Sequence, residues 1–269
     1  MSFWQKYNSA TNLHKSYVCV GLDSQKNKIP EILKNEKNPI WTFNKEIIDA
    51  TKNNAAAFKL NYAFYVNAGK LGLEALEKTL EYIPNFIPSI LDVKVGDIGN
   101  TMEQYAEAYY KVMDVDSITV NPLMGNDVLE PLWKYRDKMS FVLTLTSNKT
   151  ASDYLLKNDL SFKIAENIQK YNYEQIGAVV GATQTNDLKK IRELLPKNIF
   201  LIPGIGAQGG DLSSVVKFAS SSKSDPRFLI NSSRGIIFAS QNSDFAEKAS
   251  KATNDLKELI NINLLKLEA

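Results

Sequence analysis

The chain has 269 residues, of which 44% are hydrophobic and 23% charged, and its formal net charge is +2. A chain of this size can bury a substantial core, and so small a net charge argues against nucleic acid or a membrane surface as the main partner. The single cysteine, Cys19, excludes an internal disulfide and a cysteine-cluster metal site. The single histidine, His14, leaves acid–base chemistry to Lys, Asp, Glu or Tyr.

Eight short apolar segments recur along the chain and predict eight β-strands. They are residues 16–23, 55–62, 88–97, 117–125, 140–148, 176–184, 200–208 and 227–236. Their apolar runs are nearly continuous, which is typical of parallel strands covered on both faces. Segments of helical period separate them. One predicted helix covers residues 71–83, with Leu73, Leu76, Leu80 and Ile83 on its buried stripe. Another covers 101–114, where Thr101 and Gln104 have the spacing of a capping box.

Eight strand–helix units in a chain of this length match a (β/α)8 TIM barrel, which typically takes about 250 residues. The alternative is a doubly wound open sheet, which usually has phosphate-binding glycines after its first strand. Here Gly204, Gly206, Gly209 and Gly210 follow the seventh strand instead, where barrels commonly bind phosphate. The sequence has no low-complexity linker. We therefore predict an α/β fold with a single TIM-barrel domain over residues 1–269 and a short N-terminal helical extension.

The N-terminal sequence MSFWQKYNSATNLHKS contains no apolar run of signal-peptide length, and the chain has no stretch of 18 consecutive apolar residues. We therefore expect a protein of the reducing cytoplasm that neither spans nor binds a membrane.

Each predicted strand is apolar at its start and polar at its end. The polar residues at these ends are Asp23, Lys59, Asn61, Asp92, Lys94, Asp97, Asn121, Thr146, Ser147, Asn148, Thr183, Gln184, Gln208, Ser232, Ser233 and Arg234. Strand ends can be polar simply because loops are solvated. In a barrel, however, all eight ends meet at the carboxyl face, where active sites lie. The concentration of charge on the second and third strands favours a site.

The stretch SILDVKVGDIGNT contains the densest charge. Asp92 and Lys94 lie two residues apart on a strand and should face the same way, as should Lys59 and Asn61 on the neighbouring strand. With Asp97 they would form an alternating Lys–Asp–Lys–Asp set, in which the ammonium groups keep the carboxylates ionised. Such a set is costly to bury unless function requires it. The alternative is an ion-pair network that only ties two strands together. Because Asp97 follows the strand, we expect it to point toward a partner subunit.

The segments PGIGAQGGD and NSSRG predict an anion site. Glycines let backbone N–H groups approach a phosphate, and Arg234 adds a charged donor that can bind in a bidentate manner. The alternative is a glycine turn beside a surface arginine.

Over nearly its whole length the chain resembles the orotidine 5'-phosphate decarboxylase family, in the branch that includes mycobacterial and malarial-type enzymes. The stretches that carry the resemblance are GLD, FKLNYAFY, LDVKVGDIGNT, LTSN, IPGIGAQGGD and NSSRG. The D-x-K-x-x-D core alone is shared with keto-gulonate-phosphate decarboxylases and hexulose-phosphate synthases. The combination with GDIGNT, TSN and GAQGGD is much more specific.

The resemblance implies a homodimer that decarboxylates orotidine 5'-monophosphate to uridine 5'-monophosphate in de novo pyrimidine biosynthesis, with no cofactor and no metal. Lys59, Asp92 and Lys94 would form a network with the partner subunit's Asp97, and Lys94 would protonate C6 of the pyrimidine. The implied substrate contacts are Asp23, Asn61 and the partner subunit's Thr101 to ribose hydroxyls, Thr146 and Ser147 at the pyrimidine, and Gln208 and Arg234 at the phosphate. The capping-box position of Thr101 offers a second, purely local role for its hydroxyl.

Two other functions fit parts of the sequence. A metal-dependent sugar-phosphate decarboxylase or aldolase on the same barrel would use Asp92 as a magnesium ligand, and a chelator would stop it. A catalytically silent nucleotide-binding protein would bind product tightly without turnover. TSN and GAQGGD speak against the first, because they suit a pyrimidine nucleotide. The intact Lys59, Asp92, Lys94 and Asp97 speak against the second.

Overall fold

Eight parallel strands close into a barrel in the computed structural model of the protein, which describes residues 1–205 and 211–268. The strands are β1 (Val18–Gly21), β2 (Ala57–Asn61), β3 (Ser89–Val95), β4 (Ser117–Val120), β5 (Met139–Leu145), β6 (Ile176–Val180), β7 (Phe200–Pro203) and β8 (Phe228–Ser232). Each strand pairs in parallel with the next, and β8 pairs with β1. The eight predicted strands and the TIM-barrel fold are therefore confirmed.

Helices surround the barrel on its outer face. Those in the described residues are α1 (Phe3–His14), α2 (Pro39–Thr51), α3 (Tyr62–Asn67), α4 (Gly69–Tyr82), α5 (Gly99–Glu107), α6 (Leu160–Ile168), α7 (Thr185–Leu194), α8 (Leu212–Ala219), α9 (Arg234–Ile237) and α10 (Phe245–Leu265). The connection between β4 and β5 forms only the short 3₁₀ turns Asn126–Val128 and Glu130–Lys134. Pro131 occupies the first turn of the second of these, where a missing backbone N–H costs nothing.

The helix α1 closes the amino-terminal end of the barrel. Its side chains Phe3 and Tyr7 join the interior cluster that Ile90, Phe141 and Leu201 form between the strands. Because these apolar residues fill the barrel at its amino-terminal end, its interior there is a packed core and not a channel.

Two details of the helix predictions are wrong. The helix predicted from Thr101 begins at Gly99, whose φ of 55° suits a glycine, so Thr101 already lies inside the first turn. Ile98 is the N-cap and the capping box does not form. In α4 the predicted stripe is only partly buried: Leu76 is buried as predicted, but Leu73 is 40% exposed.

Candidate active site

A cavity of about 370 Å³ opens at the carboxyl ends of the strands. The described residues that line it are Asp23, Lys59, Asn61, Asp92, Lys94, Thr119, Leu143, Thr146, Ser147, Asn148, Val179, Leu201, Pro203, Gly204, Ile205, Asn231, Ser232, Ser233, Arg234 and Gly235. All eight strands or the loops that follow them contribute. The volume lies within the range of about 300–1,000 Å³ that small-molecule sites occupy.

Asp92 is the centre of a charged cluster formed by Lys59, Asp92 and Lys94. Its Oδ2 lies 3.0 Å from Lys59 Nζ, and its Oδ1 lies 2.6 Å from Lys94 Nζ. Lys59 Nζ also lies 3.5 Å from Asp23 Oδ1. Lys59 and Asp92 are buried, whereas the Lys94 side chain is 49% exposed toward the cavity. The cluster therefore presents one accessible ammonium group, held by a carboxylate whose two oxygens are both engaged.

Burial and ion pairing act in opposite directions on the buried pair. Burial opposes ionisation of Asp92, but the charges of Lys59 and Lys94 outweigh it and hold the pKa of Asp92 well below its usual range. For Lys59, burial alone would lower the pKa, but the carboxylates of Asp92 and Asp23 outweigh that effect and raise it. Both groups are therefore charged at neutral pH.

We expect Asp92→Asn to lower the free energy of unfolding by about 3–5 kcal/mol at neutral pH, because it leaves the buried Lys59 with only the more distant carboxylate of Asp23, at 3.5 Å. Since folding lowers the pKa of Asp92, this stabilisation is fully present above the ordinary carboxyl pKa of about 3.9. It is lost as the pH falls through the folded pKa. Urea unfolding at a series of pH values should therefore show the difference between wild type and variant shrinking in acid.

The matched control for this prediction is Asp49→Asn. Asp49 also pairs with a lysine, Lys52, at 2.7 Å, but its side chain is 38% exposed. An exposed pair of this kind contributes at most about 1 kcal/mol. Equal losses in the two variants would show that burial of the charged cluster does not stabilise the fold.

Lys94 reaches Asp92 from an irregular backbone. The prediction that the two side chains face the same way is confirmed by their contact, but the strand is not regular there. Lys94 has a φ of 51°, and the register between β3 and β4 shifts between Leu91 and Val95. A positive φ is uncommon for a residue other than glycine, and residues in such sparsely populated conformations cluster at active sites.

Thr119 belongs to the cavity but was not predicted from the sequence. This β4 residue is 1% exposed, and its hydroxyl donates a hydrogen bond to Asp92 Oδ1 at 2.9 Å. The Thr119 hydroxyl oxygen also accepts a hydrogen bond from the backbone N–H of Lys94 at 2.9 Å. The available signal was a hydroxyl inside the apolar strand SITV, next to the strand that carries the charges.

The two residues expected at the ribose lie at adjacent strand ends. Asp23 follows β1 and is half-buried, and its Oδ1 has no hydrogen-bond partner among the described residues besides the ion pair with Lys59. Asn61 ends β2, and its Oδ1 accepts a hydrogen bond from the backbone N–H of Ala63 at the start of α3. Both side chains line the cavity, so the structure brings them to the charged cluster.

The residues expected at the pyrimidine lie across the cavity, after β5. Thr146 Oγ1 donates a hydrogen bond to Asn148 Oδ1 at 2.6 Å, and the carbonyl of Ser147 accepts one from Thr183 at 3.2 Å. Gly181 allows this loop to pack closely, because a Cβ there would lie 2.6 Å from the Ser147 nitrogen. Thr146 and Ser147 both line the cavity.

The side of the cavity expected to bind phosphate is formed by β8 and the loop after it. Arg234 is exposed at the start of α9 and lines the cavity. Gln208 lies outside the described residues, as do Gly206, Gly209 and Gly210, whereas Gly204 lines the cavity. Two further residues of this side line the cavity: Asn231, which was not predicted, and Ser233, which was predicted only as a polar strand-end residue without a role. Their buried side-chain oxygens have no hydrogen-bond partner within the described part of the chain. These unpaired oxygens are available to a ligand.

Asp97 and Thr101 are not among the described residues that line the cavity. Asp97 is half-buried beyond the end of β3, and its Oδ1 accepts a hydrogen bond from the N–H of Ile98 at 2.8 Å. Thr101 is exposed on α5. Within one chain, therefore, the predicted set of four charged residues is brought together only as far as Lys59, Asp92 and Lys94.

The described part of the chain contains neither a metal-binding group of side chains nor a membrane-spanning helix. No three His, Cys, Asp or Glu side chains within residues 1–205 and 211–268 come together as a group that could hold a metal ion. None of the helices in that part of the chain is both long and apolar enough to cross a membrane.

A charged cavity at the carboxyl end of a (β/α)8 barrel defines the class as that of barrel enzymes, since these enzymes bind their substrates at that face. The model of the Orotidine 5'-phosphate decarboxylase / HUMPS family matches residues 16–249. The chain therefore belongs to this family.

Several known proteins are similar to this chain over nearly its whole length. The orotidine 5'-phosphate decarboxylase of Dehalococcoides mccartyi is 42% identical over 97% of this chain and 98% of its own. That of Christiangramia forsetii is 43% identical over 94% of this chain and 95% of its own. The solved OMP decarboxylase of Leishmania donovani superposes with a TM-score of 0.84 at 32% identity, covering 98% of this chain and all of its own. The chain spans only 57% of the Leishmania donovani UMP synthase, at a TM-score of 0.84 and 34% identity.

Proposed function

We propose that this chain is an orotidine-5'-phosphate decarboxylase, a carboxy-lyase that converts orotidine 5'-monophosphate to uridine 5'-monophosphate in de novo pyrimidine biosynthesis without a cofactor. The observation that carries the proposal is the Lys94 ammonium, exposed to the mouth cavity and held 2.6 Å from Asp92 in a member of this family. The positive charge of Lys94, which Asp92 holds in place, and the volume of the cavity suit a small anionic substrate.

The proposed chemistry requires an acid at one carbon atom. When the bond between C6 and the carboxylate breaks, carbon dioxide leaves and its electron pair stays at C6. An ammonium fixed at that carbon stabilises the developing negative charge and then transfers a proton to it. We assign this role to Lys94, because its side chain is 49% exposed whereas Lys59, which also lines the cavity, is buried.

The other members of the charged cluster keep Lys94 in place. Asp92 accepts a hydrogen bond from Lys94 Nζ and would lie beside the substrate carboxylate. The buried Lys59 donates to the other oxygen of Asp92 and balances its charge. The proposed substrate contacts are Asp23 and Asn61 at the ribose hydroxyls, Thr146 and Ser147 at the pyrimidine, and Gln208 and Arg234 at the phosphate. All of these except Gln208, which lies outside the described residues, line the same cavity.

We expect Arg234→Ala to lower kcat/KM for orotidine 5'-monophosphate by at least about 100-fold, because charge-assisted hydrogen bonds to a phosphate contribute about 1.5–3 kcal/mol each. Steady-state kinetics measures this effect. Turnover of orotidine, which lacks the phosphate, should be the same in variant and wild type. The control is Arg136→Ala, an exposed arginine that precedes β5 at the other end of the barrel. A similar loss with orotidine would show that Arg234 does not act through the phosphate.

The active form that we propose is a homodimer, with the partner subunit's Asp97 and Thr101 completing each site. The loops after β3 and β4 lie against each other, since a Cβ on Gly96 would come within 2.6 Å of the Asn121 carbonyl. They expose Ile98, Leu123 and Met124, which are 45%, 62% and 56% accessible. Apolar side chains in adjacent loops beside an incomplete site suit burial by a second subunit.

Three further points belong to the proposal. We place the enzyme in the cytoplasm, we treat residues 1–269 as a single domain, and we expect neither nucleic acid nor a membrane as a partner. The near-neutral net charge of +2 supports the last point.

The test of the proposed function is the loss of absorbance when purified protein is mixed with orotidine 5'-monophosphate in EDTA. We expect full turnover with the chelator present. Activity on a sugar phosphate that EDTA abolishes would support the metal-dependent alternative, which the engagement of both Asp92 oxygens by Lys59, Lys94 and Thr119 disfavours. Tight binding of uridine 5'-monophosphate without turnover would support a silent binding protein and overturn the proposal.

A further inference from the structure

We propose that Thr119 is a positioning residue for the decarboxylation, which holds Lys94 and Asp92 in their working geometry through a single hydroxyl group. The inference rests on the proposed function, since it assigns Thr119 a part in the same reaction. Thr119 is 1% exposed on β4 and lines the same cavity as Lys94.

The Thr119 hydroxyl bonds to both residues at once. It donates to Asp92 Oδ1 at 2.9 Å and accepts from the backbone N–H of Lys94 at 2.9 Å. Asp92 Oδ1 is also the oxygen that accepts from Lys94 Nζ, at 2.6 Å. The hydroxyl, the carboxylate and the lysine therefore form a closed ring of contacts, in which Thr119 fixes the main chain of Lys94 and Asp92 fixes its side chain.

The strand register explains why a hydroxyl is needed here. Leu91 pairs with Ile118, and Val95 pairs with Val120, so three residues of β3 (92 to 94) lie opposite one residue of β4, Thr119. Such an insertion interrupts the regular ladder between two strands and leaves extra residues without their usual backbone partner. The Thr119 side chain supplies the missing acceptor for the Lys94 N–H, which would otherwise be left unpaired.

The same bulge places Lys94 in a conformation that needs support. Its φ of 51° lies in the left-handed region, which few residues other than glycine adopt. Without the hydroxyl, the N–H of Lys94 loses its acceptor, and the bulge loses the contact that fixes its main chain to β4 at this residue. Because the Lys94 side chain is 49% exposed, relaxation would let its ammonium move away from Asp92 and from C6 of the substrate. Small displacements of a catalytic group can cost about 100-fold in rate.

The experiment compares Thr119→Ala with Thr119→Ser, which differ from each other only by the hydroxyl oxygen. We expect Thr119→Ala to lower kcat about 10- to 100-fold and to change KM by less than about 3-fold, because the lost geometry acts on the reacting carbon and not on phosphate binding. Thr119→Ser should keep kcat within about 3-fold of the wild type. Hydrogen exchange of the Lys94 amide should be faster in Thr119→Ala and near the wild-type rate in Thr119→Ser. If Thr119→Ala does not fold, Thr119→Val takes its place in the same comparison.

Equal kcat in the alanine and serine variants, or a loss confined to KM, would overturn the role of Thr119. Unchanged exchange of the Lys94 amide in Thr119→Ala would overturn it as well, because the hydrogen bond would then not hold the backbone. These failures are distinct from failure of the proposed function, which would appear as absence of turnover of orotidine 5'-monophosphate by the wild-type protein itself.

Discussion

We expect Lys94→Ala to lower kcat/KM for orotidine 5'-monophosphate by at least about 10⁴-fold, because one substitution removes both the acid and the charge that stabilises the carbanion. Steady-state assays over a wide range of enzyme concentration measure the loss. Binding of uridine 5'-monophosphate, followed by calorimetry, should weaken far less, since Lys94 lies away from the residues assigned to the phosphate. A loss of kcat with product affinity retained is the signature of a group that acts in the transition state.

The matched control is Lys78→Ala. Lys78 also pairs with a carboxylate at 2.6 Å, that of Glu74, and its side chain is 44% exposed, against 49% for Lys94. Lys78 lies on α4, outside the cavity, so its replacement should leave kcat/KM unchanged. Turnover by Lys94→Ala within about 10-fold of the wild type would remove Lys94 from the proton transfer, because general acid catalysis contributes at least about 100-fold.

The second large effect is expected from Asp97, through complementation between subunits. Asp97→Ala alone should lower kcat by about 100-fold or more, the magnitude typical of removing one preorganised electrostatic group. A mixture of Asp97→Ala and Lys94→Ala chains should regain activity, because one of the two sites in each mixed dimer contains an intact Lys94 and an intact Asp97. Random pairing of equal amounts makes half of the dimers mixed, so about a quarter of all sites should be active. Assays of refolded mixtures measure this recovery.

The control for complementation is a mixture of Lys94→Ala with Asp92→Ala. Both residues belong to the same half of each site, so neither site of a mixed dimer is intact and activity should stay at the level of the parents. Recovery in this control would show that the mixing procedure itself restores activity. Failure of the Asp97 mixture to recover, with mixed dimers present, would place Asp97 in its own subunit's site or outside the site altogether.

The fold followed from local signals in the sequence. The eight apolar runs that predict buried parallel strands all form strands, because a barrel strand covered on both faces requires apolar residues at nearly every position. Most of the polar residues predicted at the strand ends also line the cavity. Lys59, Asn61 and Asp92 stand at the ends of neighbouring strands in register, with Asn61 opposite Asp92. The positions of these residues at the ends of consecutive predicted strands therefore predict that their side chains lie close together.

The details that the sequence did not predict depend on irregular backbone or on contacts between strands. The regular strand geometry assumed for Lys94 is replaced by a bulge with a positive φ, and the hydroxyl of Thr119 that supports it comes from the next strand. The capping box assigned to Thr101 failed because Gly99 starts the helix earlier. Asn231 was missed because a single asparagine in an apolar strand gives no periodic signal.

The proposed mechanism depends on Lys94 delivering the proton to C6. The most direct test is a crystal structure of the protein with uridine 5'-monophosphate bound. We expect Lys94 Nζ within about 3 Å of C6, the reach required of a general acid, with Asp92 beside it and the phosphate at Arg234. A pyrimidine bound with C6 facing away from Lys94, or with another proton donor at that carbon, would contradict it.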